Sequence, residues 1–530
     1  MPQPLATRRD TEISNRAYRA GVAVCALAVG AFGVVQRAAW PPFEDEALAL
    51  FVGRDSFGGM LATVLNERGG APLHFLLAWC IAHAGGGLVA LRLVSVLFAV
   101  ASVPLVAALV ARIGGRTAAL VATAVACASW ALLFHGVYGR MYALFLFTST
   151  LSYLALLAAV DRGGRRWWAL WVLAIYATLA THPYGALVLL SQAIYVAFSR
   201  SRVREAVAAG AVVAVAGIPF WRADLVLRGR FDVGVGAGEG NFGGPLGVLT
   251  YLAQAAGDFS AYGIVSLPLM LMLAAIGSAA LLRARRREAL LVVAVLGTPL
   301  VVFLVTRLGG SSSPETRHLI FALPFFSALI GTGVVEIACR TRRLALALAI
   351  ALAALIPLEL SWAHERTPEL FAGESRTRAA ARADASAWLE RTGHPRDVLL
   401  GYDPLFLGAW ERDPRFSDLV VPRADAALAS RTLTRAEKPL GRGIWVLDAS
   451  DANNAGRSLT IERRVPEPRE RYEARVYGPF LIVRSREPTR TPRRFLEQTL
   501  AVMRVGQSLY IGDADVNKVT AEKALKRLER

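Results

Sequence analysis

The sequence predicts an all-α polytopic membrane domain of about eleven helical spans, followed by a small α/β domain. Three observations predict it. The 530 residues are 55% hydrophobic and only 19% charged, too apolar for a soluble chain of that length. That average hides a division: residues 20 to about 362 are apolar runs with short Arg-bearing connectors, whereas 363–530 carry charge at an ordinary globular density. The Arg residues of the first part flank the apolar runs in clusters, as topology determinants do. A net charge of +18 raises the question of a nucleic acid, but the cations are scattered over connectors and form no single basic face. The expected partner is the bilayer, and no nucleic acid.

A span needs about 20 mostly apolar residues. The candidates are 20–39, 88–111, 117–134, 141–160, 167–182, 185–199, 206–221, 262–282, 289–306, 318–338 and 343–362. The first run is longer than a signal-peptide core, and no small-residue cleavage site follows it before Trp40-Pro41-Pro42, so it reads as an uncleaved span. Cys25, Cys80, Cys127 and Cys339 all lie in or beside apolar runs, and none lies in the tail, so no disulfide framework is expected.

The run 71–85 (APLHFLLAWCIAHAG) is ambiguous, and charge decides its status. If it does not cross, and the N-terminus with Arg16 and Arg19 is cytoplasmic, five basic connectors fall inside: those around Arg112, Arg162, Arg200, Arg283 and Arg340. If it does cross, all five flip outside, against the positive-inside rule. It is therefore read as a juxtamembrane helix with Pro72 in its first turn. The resulting domains are 1–362, a transmembrane unit with long outer loops 40–87 and 222–261, and 363–530, a soluble extracytoplasmic unit. The protein is expected in the cytoplasmic (inner) membrane. The tail reads as α/β, with a helix near 374–392, strands at 398–402, 418–421, 444–448 and 479–484, a helix from 493 to about 504, and a Lys-rich helix at the end. The Gly-rich stretch 233–247 reads as either a mobile loop over a site or a plain linker.

Polar chemistry collects on the outer face. The first outer loop opens with Glu44-Asp45-Glu46 after two prolines, which fits either a helix start or a partly desolvated general base. His74 begins the juxtamembrane helix, as an interfacial anchor or a site residue. The turn His135-Gly136-Val137-Tyr138-Gly139-Arg140-Met141-Tyr142 carries an Arg where outer connectors are otherwise poor in Arg. It is either a snorkelling side chain or a bidentate phosphate ligand. His182-Pro183-Tyr184 forms a tight outer turn, and Glu315-Thr316-Arg317-His318 puts a second cation at the mouth of a span.

This order of elements resembles the C superfamily of membrane glycosyltransferases (GT-C), and within it the bacterial branch related to protein O-mannosyltransferases and the lipid A aminoarabinose transferase. The likeness is carried by Asp45-Glu46-Ala47 after the first span and by APLHFLLAW in place of a PPLYYLL pattern. It continues through the inner Arg112–Arg116, then Gly139-Arg140-Met141-Tyr142-Ala143-Leu144 and Thr181-His182-Pro183-Tyr184-Gly185-Ala186-Leu187 with Gln192, and ends at Arg317-His318 with Pro324. It covers about residues 16–340. Three positions depart: Ala71 replaces the first Pro, Tyr138-Gly139 replaces an acidic or Gln residue, and Gly69-Gly70 replaces a Lys or Glu. The resemblance implies transfer of a sugar from a polyprenyl-phosphate donor to an envelope acceptor, with inversion at the anomeric carbon. It implies Asp45 and Glu46 as catalytic carboxylates and Arg140 and Arg317 as ligands of the donor phosphate. Glu44, His74, Tyr142, His182, Tyr184 and His318 stand behind them. The aminoarabinose branch recruits a metal near this loop, so a divalent metal is the one cofactor the resemblance leaves open. The rival class is a transporter or lipid flippase, for which internal repeats and mid-span charges are expected. No repeat is evident, and the acids inside spans, Glu336 and Glu359, lie near span ends. A third reading is a non-catalytic scaffold whose tail binds cell-wall polymer.

Overall fold

The computed structural model describes residues 13–70, 72–228, 242, 244–306, 315–370, 375–448, 464–509 and 511–530. Most of the Gly-rich stretch 233–247 and of the outer turn 307–317 lies outside the described residues. Helices occupy every range expected to span. Among the described residues, six are long and apolar enough to cross a membrane: Asn15–Ala39, Leu88–Gly114, Tyr142–Arg162, Gly263–Ala284, Arg286–Val305 and Thr316–Arg340. Val203–Ala216 and Ile218–Leu227 make a seventh if taken as one span bent by 57°, at Gly217 and Pro219, where a missing amide proton and a ring clash break a helix. The range 117–134 is not one rod. Arg116–Cys127 ends at Ala128, and Ser129 caps a new helix, Trp130–Val137, by accepting the Leu132 amide. Large apolar side chains lie bare on the outer surface of the bundle, such as Leu27 at 73% and Val305 at 78%, as lipid contact requires.

The basic connectors meet at one end. Arg112 pairs with Asp161, Arg202 Nε donates to the Val160 carbonyl at 2.9 Å, and Arg285 donates to the Ile113 carbonyl at 3.2 Å. The acid remaining in the last apolar helix, Glu359, is buried and accepts the Tyr262 amide, which satisfies a turn where Tyr262 takes a positive φ of 66°.

The run 71–85 is a helix, Pro72–His83, packed on Glu44–Gly53. Between them lie Phe57–Ala62 and a π-helical turn, Thr63–Arg68. The helix over the last apolar range, Arg342–Leu370, passes through position 362, and the next described element is Ser375–Thr392.

That unit has three layers. Its strands are β1 Val398–Leu400, β2 Leu419–Val421, β3 Gly443–Asp448, β4 Tyr472–Tyr477 and β5 Phe480–Ser485, in the order β2-β1-β3-β5-β4. β1 runs parallel to β2 and β3, and β5 runs antiparallel to β3 and β4. Successive side chains of a strand face opposite ways. Ile444, Val446 and Ile482 therefore pack with Trp388 and Phe406 on one face, and Trp445, Leu447 and Val483 pack with Phe495 and Met503 on the other. Four expected strands are present, and β4 is additional. It is an edge strand with Glu473 and Arg475 on the face that Trp388 covers, where Glu473 pairs with Arg484 at 2.6 Å, a charged pattern that protects an edge and hides the strand in sequence. Two short helices, Pro404–Arg412 and Ala426–Arg435, complete the unit, each capped by an aspartate, Asp403 and Asp425.

The first face of this sheet shares a core with the outer loop. Ala47, Leu48, Phe51, Phe75 and Ala78 are continuous with Leu405, Phe406 and Phe416. Polar contacts border that core: Arg54 with Asp418 at 2.8 Å, Arg68 with the Tyr402 hydroxyl at 3.1 Å, and the Leu88 amide with Glu411 at 2.9 Å. The segment 40–87 and the C-terminal unit thus lie at the same end of the bundle.

Candidate active site

The three acids Glu44, Asp45 and Glu46 form the first turn of the helix Glu44–Gly53, where carboxylates suit the helix dipole. Successive helical residues turn by about 100°, so the three side chains leave the axis in different directions and meet different partners.

Glu46 turns inward and is fully buried. Arg92, in the first turns of Leu88–Gly114, grips it with two bonds, Nε to Oε1 at 2.8 Å and Nη2 to Oε2 at 2.6 Å. The Gly139 amide donates to Oε1 at 2.7 Å and the Phe43 amide to Oε2 at 3.1 Å. Arg92 spends its other donors on the Trp40 and Pro41 carbonyls, at 2.7 and 2.9 Å. A buried ion pair is tolerable only when its remaining donors and acceptors are satisfied, and here they are. Glycine at 139 follows directly: a Cβ there would lie 2.9 Å from Glu46 Oε1.

Glu44 turns to the C-terminal unit. Its Oε1 accepts the Tyr402 amide at 3.0 Å and lies 3.3 Å from Arg423 Nε.

Asp45 alone faces the mouth of the bundle. It stays 31% exposed, with Oδ2 3.6 Å from Arg140 Nη2, and Arg140 Nη1 donates to the Asp45 carbonyl at 3.1 Å. Arg317 lies near enough for its charge to act on both Asp45 and Arg140. It pairs with Glu315 at 2.7 Å and sits over the Tyr142 ring, 5.2 Å from its centre. Around it close the expected second-rank residues. The His182 and His318 rings are 5.0 Å apart, Tyr184 is 5.1 Å from His318, and Tyr142 is 5.8 Å from His182. The His182 ring is oriented by accepting the Tyr184 amide at 3.0 Å.

The cluster keeps polar atoms unspent. Among the described residues, the buried Arg140 Nε, Tyr138 Oη, His74 Nε2 and His318 Nδ1 have no hydrogen-bond partner. Buried polar groups are almost always paired, so these four atoms have hydrogen-bonding capacity left over. No group of three or more His, Cys, Asp or Glu side chains among the described residues is arranged to hold a metal.

His74, outside the spanning helices, feels this environment. Burial first and the Arg140 charge second push its imidazole down from 6.5 to about 3, against a smaller opposing pull from Asp45. The folded state therefore holds His74 neutral while the unfolded chain protonates it below 6.5. Its contribution is complete above about pH 6.5 and is lost as the pH falls toward 3. His74→Gln is expected to flatten the fall of the melting midpoint across that window, measured by thermal unfolding in detergent.

The sequence expectations meet unequally in this geometry. Asp45, Arg140, Arg317, Tyr142, His182, Tyr184 and His318 come together, with His74 beside them. Glu44 and Glu46 point away. Arg92 and Tyr138 were not singled out in the sequence. Arg92 had one visible signal, a lone Arg in an apolar run (LVALRLVSV) at the outer end of a span.

No family model matches the chain, and no curated protein is similar in sequence. Solved structures do resemble it. ArnT from Cupriavidus metallidurans bound to undecaprenyl phosphate aligns with a TM-score of 0.53 at 14% identity, over 89% of this chain and 98% of that one. The same protein in the apo state gives 0.51 at 15% identity, over 88% and 98%. The Archaeoglobus fulgidus oligosaccharyltransferase, in complex with Zn and sulfate, gives 0.50 at 13% identity, over 80% and 68%. The chain therefore has the GT-C fold of these solved structures, a multi-helix bundle with a long first loop and an appended small sheet.

Proposed function

We propose that the protein is an inverting glycosyltransferase that moves a sugar from a polyprenyl-phosphate carrier to an acceptor hydroxyl at the outer face of the cytoplasmic membrane. The observation that carries this reading is the juxtaposition of one half-exposed carboxylate, Asp45, with two guanidinium groups at the mouth of a membrane bundle. That set matches the charges of the reaction. The acceptor oxygen attacks the anomeric carbon and gives its proton to Asp45. The bond between that carbon and the phosphate oxygen breaks, and its electron pair leaves with the lipid phosphate. Arg140 and Arg317 face the charge that grows there, the kind of preorganised stabilisation that contributes most when water is excluded. The sugar passes through an oxocarbenium-like state, as in glycoside chemistry, and a single displacement inverts the anomeric centre. Tyr142, His182, Tyr184 and His318 form the wall beside the leaving group. Glu46 orients the loop through Arg92 and takes no part in proton transfer.

A carrier lipid with its phosphate at the bilayer surface reaches this mouth laterally, which accounts for an enzyme site between spans. The test is Arg317→Ala. It is expected to lower kcat about 10²–10³-fold, the usual loss for one such donor, and to weaken competition by free polyprenyl phosphate. A variant with wild-type turnover and wild-type inhibition would remove Arg317 from the donor site.

A further inference from the structure

Arg423 is the hub of the contact between the two domains. It follows β2, is 14% exposed, and three carboxylates converge on it: Glu44 Oε1 on Nε at 3.3 Å, Asp513 Oδ2 on Nη1 at 2.9 Å and Asp403 Oδ2 on Nη2 at 3.7 Å. Asp403 and Asp513 belong to the C-terminal unit, and Glu44 comes from the membrane domain. The end of β1 is shaped to let the guanidinium pass. Gly401 takes a φ of +80°, and a Cβ there would lie 2.1 Å from Arg423 Nε, so both conformation and space require glycine. The next amide, Tyr402, is the one that donates to Glu44.

Asp45 therefore lies between two anchors. The residue after it, Glu46, is fixed by Arg92 from the membrane domain. The residue before it, Glu44, is fixed by Arg423 and Tyr402 from the C-terminal unit. We propose that the C-terminal domain is a positioning device for the transfer reaction: Arg423, through Glu44, sets the helix turn that aims Asp45. This rests on the reading of Asp45 as the base. It gives the tail a mechanical task at the reacting centre beyond packing on the loop. The other contacts between the domains, such as Arg54 with Asp418 and Leu88 with Glu411, hold the same surfaces together but do not flank Asp45.

The test compares Glu44→Ala, Glu44→Gln, Arg423→Ala and the control Asp418→Ala in the full-length protein. Two readouts are taken: kcat and donor KM for sugar transfer, and amide hydrogen exchange over Glu44–Gly53. Glu44→Ala and Arg423→Ala are expected to lower kcat about 10–100-fold, since a misplacement near 1 Å costs on that order. Donor KM should hold, because the phosphate ligands are untouched. Exchange in the segment should quicken. Glu44→Gln keeps an acceptor for the Tyr402 amide and should recover part of the loss, and Asp418→Ala should match wild type. Unchanged exchange and turnover in Glu44→Ala, or an equal loss in Asp418→Ala, would overturn the inference. The exchange readout also separates it from the reading beneath it. Quickened exchange alongside full activity of Asp45→Asn would keep the clamp and remove Asp45 as base. Unchanged exchange alongside an inactive Asp45→Asn would do the reverse.

Discussion

Replacing Asp45 by Asn is expected to lower kcat by about 10²–10⁴-fold, the contribution of a positioned general base, while leaving the donor KM and the melting midpoint close to wild type. The split follows from the geometry. Asp45 keeps 31% of its side chain exposed and meets Arg140 at a loose 3.6 Å, so the amide costs little stability. Binding of the donor phosphate rests on Arg140 and Arg317, and an interaction made only as the proton moves appears in kcat. Asp45→Glu should recover part of the loss, because it restores a base with its oxygens displaced. A fall in donor affinity with unchanged kcat would instead make Asp45 a binding group.

The second large effect belongs to stability. Arg92→Ala leaves Glu46 charged and fully buried, with only the Gly139 and Phe43 amides for company. Breaking one side of a buried pair costs about 3–5 kcal/mol. The expected result is a marked drop in the melting midpoint in detergent and early proteolysis of the first outer loop. Pairing it with Glu46→Gln should recover much of the stability, since the orphan charge is gone and the amides keep an acceptor. Activity should recover less, because the two bonds that fix the turn beside Asp45 are not restored. A double variant no more stable than the single one would show that the cost comes from lost packing of the Arg92 stem.

The sequence carried the membrane architecture in the features that physics makes loud. Apolar length located the helices, and the run 71–85 forms the separate helix Pro72–His83. Asp45, Arg140, His182 and Arg317 are far apart in sequence, yet all four lie at helix ends or turns: the first turns that hold Asp45 and Arg317, the C-cap at His182 and the turn before Tyr142 that holds Arg140. What the sequence could not carry was direction. Glu44, Asp45 and Glu46 are adjacent in sequence and alike in chemistry, yet one docks a domain, one faces the mouth and one is locked behind it. Only the phase of the helix and the position of Arg92 and Arg423 separate them. Those two partners lie 46 residues from Glu46 and in a different domain from Glu44, beyond the reach of any local pattern. In the tail, β4 and the helices Pro404–Arg412 and Ala426–Arg435 were hidden for another reason. They are short, three turns or fewer for the helices, and β4 carries charge along an edge.

The central claim is lipid-linked sugar transfer at Asp45, and one assay meets it directly. Purified wild type and Asp45→Asn would be incubated with extracted polyprenyl-phosphate sugars and an envelope acceptor fraction, and release of the free lipid phosphate followed. The account predicts acceptor-dependent release by the wild type, with a product of inverted anomeric configuration, and its loss in the variant. Absence of release by a folded wild type with every donor would contradict it and favour a transporter.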